Sequence, residues 1–270
     1  MADITVFQRH EKKFLMDVET MERILPEIKK HMDPDKYCQN GRTYAISNLY
    51  FDTENNDVIR ESLQKPFYKE KLRMRCYGVP KNDQSQVFLE IKKKVNKVVT
   101  KRRVKLTYGE AKLFLYYGIF PETDDYMTNQ VLKEIQYYLT HKNVYASTRI
   151  SYDRHAFFDR EDSSFRLTFD ENLFYLKGEC PDNIKDFIKG LAKPGGVNYQ
   201  DSRKGKRIIP EHLRLMEVKV SNAYPMWFAR LLSDDGIFAT SFSKYGVSYK
   251  HELLNDESFD SEMFDVLSHI

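Results

Sequence analysis

The chain has 270 residues, of which 41% are hydrophobic and 14% aromatic, and this content of core-forming side chains excludes an intrinsically disordered protein. Forty-three Lys and Arg against 40 Asp and Glu give a formal net charge of +3, so the total charge does not indicate a nucleic-acid or anionic-surface binder. Three widely spaced cysteines exclude a disulfide framework and indicate a reducing compartment. With no membrane-length apolar run and no signal-peptide pattern, we expect a cytoplasmic protein without direct membrane insertion.

Periodicity along the chain predicts an α+β fold. Strands are predicted over residues 5–14, 43–51, 69–77, 87–92, 97–105, 145–152, 165–169 and 213–220. Helices are predicted after Asp17, with a kink or early end at Pro26, after a capping box at Thr107 and Glu110, over residues 131–139, and from Pro225 to about residue 232. We expect one antiparallel domain over residues 1–250 and an acidic tail or helix over residues 251–270.

The charged residues are distributed unevenly along the sequence. Residues 67–105 contain 13 Lys and Arg but only 3 Asp and Glu, a net charge of +10. The last 20 residues, 251–270, contain 6 Asp and Glu and no Lys or Arg. A cationic site combined with an acidic tail therefore explains the near-neutral total.

Cationic side chains recur at every second position in the basic region. Lys71, Arg73 and Arg75 share one face of a predicted strand, and Lys101 and Arg103 share one face of another. A solvated sheet face would explain any one of these strands. Because neighbouring like charges repel, however, several nearly pure cationic rows favour a site that binds a polyanion.

Carboxylates lie in register with cations on three predicted strands. The shared faces carry Arg9, Glu11 and Lys13; Glu90 and Lys92; and Glu217 and Lys219. A closed antiparallel β-barrel of about eight strands would turn these faces inward and pack the apolar faces against helices outside. The cations would then bind phosphate oxygens, and the carboxylates would hold Mg²⁺ or Mn²⁺, which prefer oxygen ligands.

Eight short motifs occur in an order that is typical of one family. They are Arg9-x-Glu11-x-Lys13-Phe14, the segment of residues 49–53, Lys71-x-Arg73-x-Arg75-x-Tyr77, Glu90-x-Lys92, the segment of residues 149–154, Arg166-x-Thr168-x-Asp170, Glu217-x-Lys219 and Ser243-Lys244-Tyr245. In this order they resemble the VTC domain, the catalytic domain of the vacuolar transporter chaperone polyphosphate polymerases, within the triphosphate tunnel metalloenzyme superfamily. The resemblance covers about residues 5–250. It implies a basic tunnel, Mn²⁺ or Mg²⁺, a nucleoside triphosphate, polyphosphate or inorganic phosphate ligand, and transfer of a γ-phosphoryl group.

The resemblance also implies roles for individual side chains. The matching phosphate-binding positions are Lys13, Arg73, Arg75, Lys92, Lys101, Arg149, Arg166 and Lys244, of which Lys13, Arg73, Arg75, Lys92 and Arg149 are the predicted catalytic residues. Glu217 matches the main metal ligand, with Glu90 and Glu11 as supporting acids. We predict that Arg9, Lys71, Arg103 and Lys219, which lie on the same charged faces, bind phosphate as well.

Two positions depart from the patterns of the superfamily. Arg9 stands where triphosphatases have the first Glu of Glu-x-Glu-x-Lys, and this matches the polymerase branch better. Ser241 stands where the polymerases have a lysine, and the loss of this cation is expected to lower processivity or alter substrate choice. The phosphate-sensing domain and membrane helices of the eukaryotic assemblies are absent, so we expect a stand-alone, bacterial version whose membrane-protein partner is supplied separately.

The sequence leaves several functions open. A polyphosphate polymerase-like phosphotransferase is the leading hypothesis, and the same site would be a triphosphatase if water were the acceptor. A non-catalytic module that binds polyphosphate or a phosphorylated polymer is the main alternative, because fold does not dictate activity. A nucleic-acid binder is disfavoured, since Glu11, Glu90 and Glu217 in register with the cations would repel a nucleic-acid backbone.

Overall fold

A computed structural model describes residues 2–7, 10–96, 98–162, 164–178, 205–221 and 223–254. Within these ranges the strands are β1 (Ala2–Phe7), β2 (His10–Asp17), β3 (Met32–Pro34), β4 (Tyr44–Asp52), β5 (Tyr68–Tyr77), β6 (Gln86–Val95), β7 (Val98–Thr107), β8 (Tyr145–Asp159), β9 (Arg166–Lys177), β10 (Lys206–Arg207) and β11 (Leu213–Val220). The helices are α1 (Val18–His31), α2 (Asp57–Leu63), α3 (Tyr108–Tyr117), α4 (Tyr126–Lys142), α5 (Met226–Asp234) and α6 (Lys244–Leu254), with a short 3₁₀ turn at Gln39–Gly41.

The strands follow the hydrogen-bonded order β1-β7-β6-β5-β4-β8-β9-β11-β2, with β3 on β8 and β10 on β9. The ladders are antiparallel, which confirms the predicted α+β class with helices beside an antiparallel sheet. The path has two ends, β1 and β2, so the sheet in the described part of the chain is open and the prediction of a closed barrel is corrected. The basic tunnel stays a prediction.

The chain divides into two compact units. Unit 1 consists of Met1–Phe7, Ile46–Ser151 and Tyr175–Lys206, and unit 2 consists of Gln8–Ala45, Tyr152–Phe174 and Arg207–Ile270. Helix α6 continues through Leu254, past the boundary predicted at residue 250, and residues 255–270 of the predicted tail lie outside the described residues.

Unit 1 has a core on one side of its strands. The alternation in β5 buries Leu72, Met74 and Cys76, as the sequence predicted, and these side chains share a cluster with Phe114 of α3 and Ile135 of α4. Because successive strand residues point to opposite faces, the basic residues of β5 lie on the face away from this core.

Unit 2 has its own core on its own strands and helices. Phe14 of β2, Phe169 of β9 and Met216 of β11 are buried together with Ile24 of α1 and Phe228 of α5. The apolar stripe of α1 is thereby buried against the sheet, and the opposite faces of β2, β9 and β11 are left for charged residues.

Two predicted helix starts are confirmed in detail. Asp17 accepts a hydrogen bond from the backbone N–H of Thr20 at 2.6 Å and caps α1. Thr107 and Glu110 form a reciprocal capping box at the start of α3, in which each side chain accepts from the other residue's backbone N–H. These side chains satisfy N–H groups that have no partner within the helix.

Of the kink or early end predicted at Pro26, the early end is wrong, and the kink stays a prediction. Helix α1 continues through Pro26 to His31, with Ile24 and Ile28 fully buried on either side of the proline. Proline removes one backbone hydrogen bond, and burial of the two isoleucines offsets this loss.

Candidate functional site

The charged face of unit 1 is organised in rows across three strands. In the ladders of β5, β6 and β7, Arg73 lies opposite Glu90, and Glu90 lies opposite Arg103. One pleat further along β6, Lys92 lies between Lys71 of β5 and Lys101 of β7. The register therefore places a row of mixed charge, Arg73, Glu90 and Arg103, beside a row of three lysines.

Glu90 is the centre of the mixed row and is only 2% exposed. Its Oε2 accepts from Nε and Nη2 of Arg73, each at 2.6 Å, and its Oε1 lies 2.6 Å from Nζ of Lys101. Burial would raise the pKa of this carboxyl, but Arg73, Arg75 and Lys101 together hold it well below its usual value. Glu90 is thus a buried anion that holds cations on the same face.

Two polar side chains of β4, Asn48 and Tyr50, orient the arginines. Sequence reasoning did not identify Asn48, and it included Tyr50 in the motif over residues 49–53 without giving it a site role. Asn48 lies opposite Arg75 in the ladder and accepts from its Nε at 2.9 Å, while Asn48 itself donates to the carbonyl of Ile150 at 3.2 Å. Tyr50 lies opposite Arg73, whose Nη1 donates to the hydroxyl at 3.3 Å. Asn48 and Tyr50 are two residues apart in the strand predicted over residues 43–51, and this spacing was the sequence signal that could have identified them.

The lysine row brings three positive charges together on neighbouring strands of unit 1. Like charges directly opposite on neighbouring strands repel, so this row is unfavourable unless an anion lies beside it. Burial lowers the pKa of Lys101 to about 8 despite the nearby Glu90 carboxylate. Burial also lowers the pKa of Lys69, and the charges of Lys94 and Lys92 lower it further. A polyanion would relieve this repulsion.

The shifted pKa of Lys101 predicts a pH-dependent affinity for anions. Above about pH 8 the side chain loses its proton, so the dissociation constant of tripolyphosphate should rise by up to about tenfold per pH unit. Isothermal titration of wild type and Lys101→Met across this range measures the effect. Because tripolyphosphate itself changes protonation state with pH, the difference between the two proteins isolates the contribution of Lys101. Identical pH profiles for the two proteins would contradict the prediction.

Three further predicted phosphate-binding residues lie in unit 1. Lys92 is exposed, Arg103 lies over the ring of Phe88 at 4.9 Å, and Arg149 is buried on β8, which neighbours β4. Their roles in binding phosphate stay predictions.

Unit 2 contains a second buried charge cluster, centred on two carboxylates. Asp170 of β9 is fully buried and receives a two-point contact from Arg154, with Nε to Oδ1 at 2.6 Å and Nη2 to Oδ2 at 2.7 Å. Glu217 of β11 accepts from Arg154 at 3.1 Å through Oε2. Lys244, at the start of α6, lies 2.7 Å from Glu217 Oε1 and 2.6 Å from Asp170 Oδ2. The two carboxylates thus share two cations.

The electrostatics of this cluster match its geometry. Burial would raise the pKa of Glu217, but Lys244, Lys13 and Arg154 hold it well below its usual value. Burial would lower the pKa of Lys244 and Arg154, and the neighbouring carboxylates instead raise both. The Tyr152 ring lies 4.5 Å from Nζ of Lys244, which adds a cation–π contact. Glu217, Lys244 and Arg154 are therefore charged near neutral pH.

Lys13 and Glu11 of β2 lie at the edge of the second cluster. Lys13 is opposite Glu217 in the ladder, donates to the carbonyl of Phe242 at 2.8 Å, and has Nζ 3.9 Å from Glu217 and 3.4 Å from Glu11. Lys219, opposite Glu11, lies 4.0 Å from its carboxylate.

Among the other predicted residues, Arg166 is opposite Lys219, is exposed, and lies over the ring of Phe158 at 4.7 Å. The predicted phosphate-binding residue Arg9 lies outside the described residues.

The described residues thus form one group within each unit. Unit 1 joins four of the predicted residues, and unit 2 joins five. The two groups are Arg73, Arg75, Glu90 and Lys101; and Glu11, Lys13, Glu217, Lys219 and Lys244. Sequence reasoning included Arg154 and Asp170 in family motifs but assigned them no role; their position at the ends of those motifs was the signal.

The predicted metal ligands do not fit a divalent ion as the structure places them. Both oxygens of Glu217 and of Asp170 contact Lys244 or Arg154, and both oxygens of Glu90 contact Arg73 or Lys101. Within the described ranges, no group of three His, Cys, Asp or Glu side chains is arranged to hold a metal. The resemblance implies a divalent metal, but in the structure these carboxylates contact cationic side chains instead.

In the part of the chain that the structure describes, none of the helices combines the length and the apolar character needed to span a bilayer.

Comparisons with known proteins place this geometry in a family. Two solved structures are similar: a candidate adenylate cyclase from Bacillus halodurans, with a TM-score of 0.49 and 14% identity over 89% of this chain and 95% of that one, and the PH1819 protein from Pyrococcus horikoshii OT3, with a TM-score of 0.40 and 10% identity over 89% and 99%. No curated protein sequence matches. The VTC domain model matches residues 8–252, nearly the whole chain, and confirms the resemblance carried by the motifs. The chain belongs to the VTC domain family.

Proposed function

We propose that this chain is a polyphosphate polymerase-like phosphotransferase, which moves the γ-phosphoryl group of a nucleoside triphosphate onto a phosphate chain. Membership of the VTC family supports a phosphotransfer or triphosphatase type of function. The observation that carries the proposal is the row of Lys71, Lys92 and Lys101 beside Arg73, with a single buried carboxylate among them. Such an excess of cations on one sheet face fits a polyanionic ligand.

The chemistry needs no nucleophile from the protein. A terminal oxygen of the phosphate chain forms a bond to the γ-phosphorus, the bond to the β–γ bridging oxygen breaks, and the nucleoside diphosphate leaves with that electron pair. The transition state spreads negative charge over the equatorial oxygens, so positioned cations supply most of the rate enhancement.

We assign the phosphate contacts in unit 1 to Arg73, Arg75 and Lys92. Glu90 and Asn48 would hold the guanidinium groups in position before the ligand arrives. An arginine already fixed by a carboxylate or an amide loses little conformational freedom when its guanidinium binds a phosphate.

Tripolyphosphate should stabilise the protein. At 100 times its dissociation constant it should add about 2.7 kcal/mol to the free energy of unfolding, because the ligand binds only the folded charge clusters. Urea unfolding with and without the ligand measures the change, with sodium sulfate at equal ionic strength as the control. Equal effects of sulfate and tripolyphosphate would show that only ionic strength matters and would count against the proposed site.

Incubation with a nucleoside triphosphate and Mn²⁺ or Mg²⁺ distinguishes the possible activities. Long phosphate chains would support the polymerase, and free phosphate without chains would indicate a triphosphatase. Ligand binding with neither product would indicate a non-catalytic polyphosphate-binding module. Salt-sensitive binding to duplex nucleic acid that triphosphate does not compete with would contradict all three.

A further inference from the structure

We propose that the ammonium group of Lys244 takes the place of a divalent metal ion on the Glu217 carboxylate. Unit 2 would then bind phosphate oxygens through a cluster of protein cations, without a resident metal. The phosphate ligand in this inference rests on the proposed function, whereas the absence of a metal site at Glu217 can be tested independently of any activity.

The first argument is the coordination of the ammonium. Nζ of Lys244 lies 2.6 Å from Asp170 Oδ2 and 2.7 Å from Glu217 Oε1, and the Tyr152 ring lies 4.5 Å away. The cation therefore bridges one oxygen from each of two carboxylates, as a metal ion would. With Lys244 only 8% exposed, an entering ion would have to displace it from a buried position.

The second argument is the use of the remaining carboxylate oxygens. The Arg154 guanidinium contacts Oδ1 and Oδ2 of Asp170 and Oε2 of Glu217 at 2.6, 2.7 and 3.1 Å. Lys244 and Arg154 together therefore engage every oxygen of both carboxylates. A divalent ion would have to compete with charge-assisted hydrogen bonds that are already formed in a buried site.

The third argument is the charge balance. The charges of Glu217 and Asp170 are matched by those of Lys244 and Arg154. Lys13 matches Glu11 at 3.4 Å, and Lys219, 4.0 Å from Glu11, leaves the group with one excess positive charge. A divalent ion would add two positive charges to a buried site that has no unmatched carboxylate. A phosphate oxygen, in contrast, would complement the excess positive charge. Any divalent ion that supports turnover would then enter with the nucleotide phosphates, which supply oxygen ligands of their own.

Mn²⁺ titration of the unliganded protein, followed by electron paramagnetic resonance, tests the inference directly. Wild type should show no stoichiometric Mn²⁺ binding in the micromolar range. Lys244→Met removes the ammonium at nearly constant side-chain length, leaves Glu217 Oε1 and Asp170 Oδ2 without this cation, and should gain Mn²⁺ binding. Lys12→Met removes an exposed lysine from the same unit and should gain none.

Two results would overturn the inference. One is stoichiometric Mn²⁺ binding by the wild-type protein that is lost in Glu217→Gln. The other is a folded Lys244→Met protein, verified by circular dichroism, that gains no Mn²⁺ binding. If Lys244→Met does not fold, the titrations of wild type and Glu217→Gln still decide the question.

Tripolyphosphate binding in EDTA separates this inference from the proposed function. Wild type should bind tripolyphosphate in EDTA, because protein cations supply the contacts. Binding that appears only after Mn²⁺ is added would contradict the inference while leaving the phosphotransferase proposal intact. A protein that binds tripolyphosphate under neither condition would contradict the proposed function, and the Mn²⁺ titration would still report on Glu217.

Discussion

Replacing Arg73 by methionine should lower the rate of phosphoryl transfer or triphosphate hydrolysis by about 10²- to 10³-fold, or about 3–4 kcal/mol of transition-state stabilisation. Arg73 is fixed by Glu90 and Tyr50, so its guanidinium is held in place for the charge that develops on the γ-phosphate. Arg73→Lys keeps the charge but loses the planar fork of donors, and its rate should lie between those of wild type and Arg73→Met. Single-turnover kinetics with ATP measure these rates.

Arg102→Met is the matched control for this experiment. Arg102 lies on the opposite face of β7 from Lys101 and Arg103 and pairs with Glu134 of α4 at 3.0 Å. Its loss removes the same charge from the same unit and should leave the turnover rate within about twofold of wild type. If both variants lost rate equally, Arg73 would contribute only its positive charge and not a positioned contact with the γ-phosphate.

Replacing Arg154 by alanine should lower the free energy of unfolding by about 3–5 kcal/mol, because it leaves buried carboxylates without their partner. Asp170 would lose both of its contacts with the guanidinium, and Glu217 would lose one. Lys244 would remain as a cation shared by two buried anions. Urea unfolding at neutral pH measures the loss, and Arg154→Lys should recover only part of it.

Arg160→Ala is the control for Arg154, because it removes an exposed arginine directly after the end of the same strand. Its guanidinium pairs with Asp33 at 2.8 Å and donates to the carbonyls of Lys29 and Lys30, all in contact with solvent, where such contacts contribute little. The unfolding midpoint of this variant should stay close to that of wild type. If both variants lost a similar free energy of unfolding, the buried Arg154–Asp170 ion pair would stabilise the protein no more than the exposed Arg160–Asp33 pair.

Local periodicity predicted several elements closely. The strand predicted over residues 213–220 is β11 (Leu213–Val220), and the helix predicted after Asp17 begins at Val18. These patterns are readable because a strand with one buried face alternates strictly and because a capping side chain acts on its own helix.

Elements that depend on distant partners were extended or missed. The strand predicted to end at residue 152 continues to Asp159, where it pairs with β3, and the one predicted to end at residue 169 continues to Lys177. Helix α6 overlaps the acidic tail or helix predicted over residues 251–270 at residues 251–254, and its residues 244–250 were not predicted to be helical. Pairing with segments far away in the sequence, which no local pattern shows, stabilises these additional strand residues.

The candidate site was predicted in its residue types but not in its contacts. Glu90 was assigned to a metal, yet the register of β5, β6 and β7 brings it against Arg73 and Lys101. Likewise, Glu217 was assigned to a metal, and the structure places Lys244 and Arg154 on its oxygens. A carboxylate that shares a strand face with cations can bind either an ion or a neighbouring side chain, and only the strand register distinguishes the two.

The order of residues along each strand was enough to establish that cations and carboxylates lie together on faces opposite an apolar core, because side-chain direction in a strand alternates locally. It was also enough to identify the VTC family, since the motifs are short and ordered. Which cation neutralises which carboxylate was decided by tertiary structure alone: Arg154, Asp170, Glu217 and Lys244 come from three strands and a helix, and their meeting depends on long-range pairing.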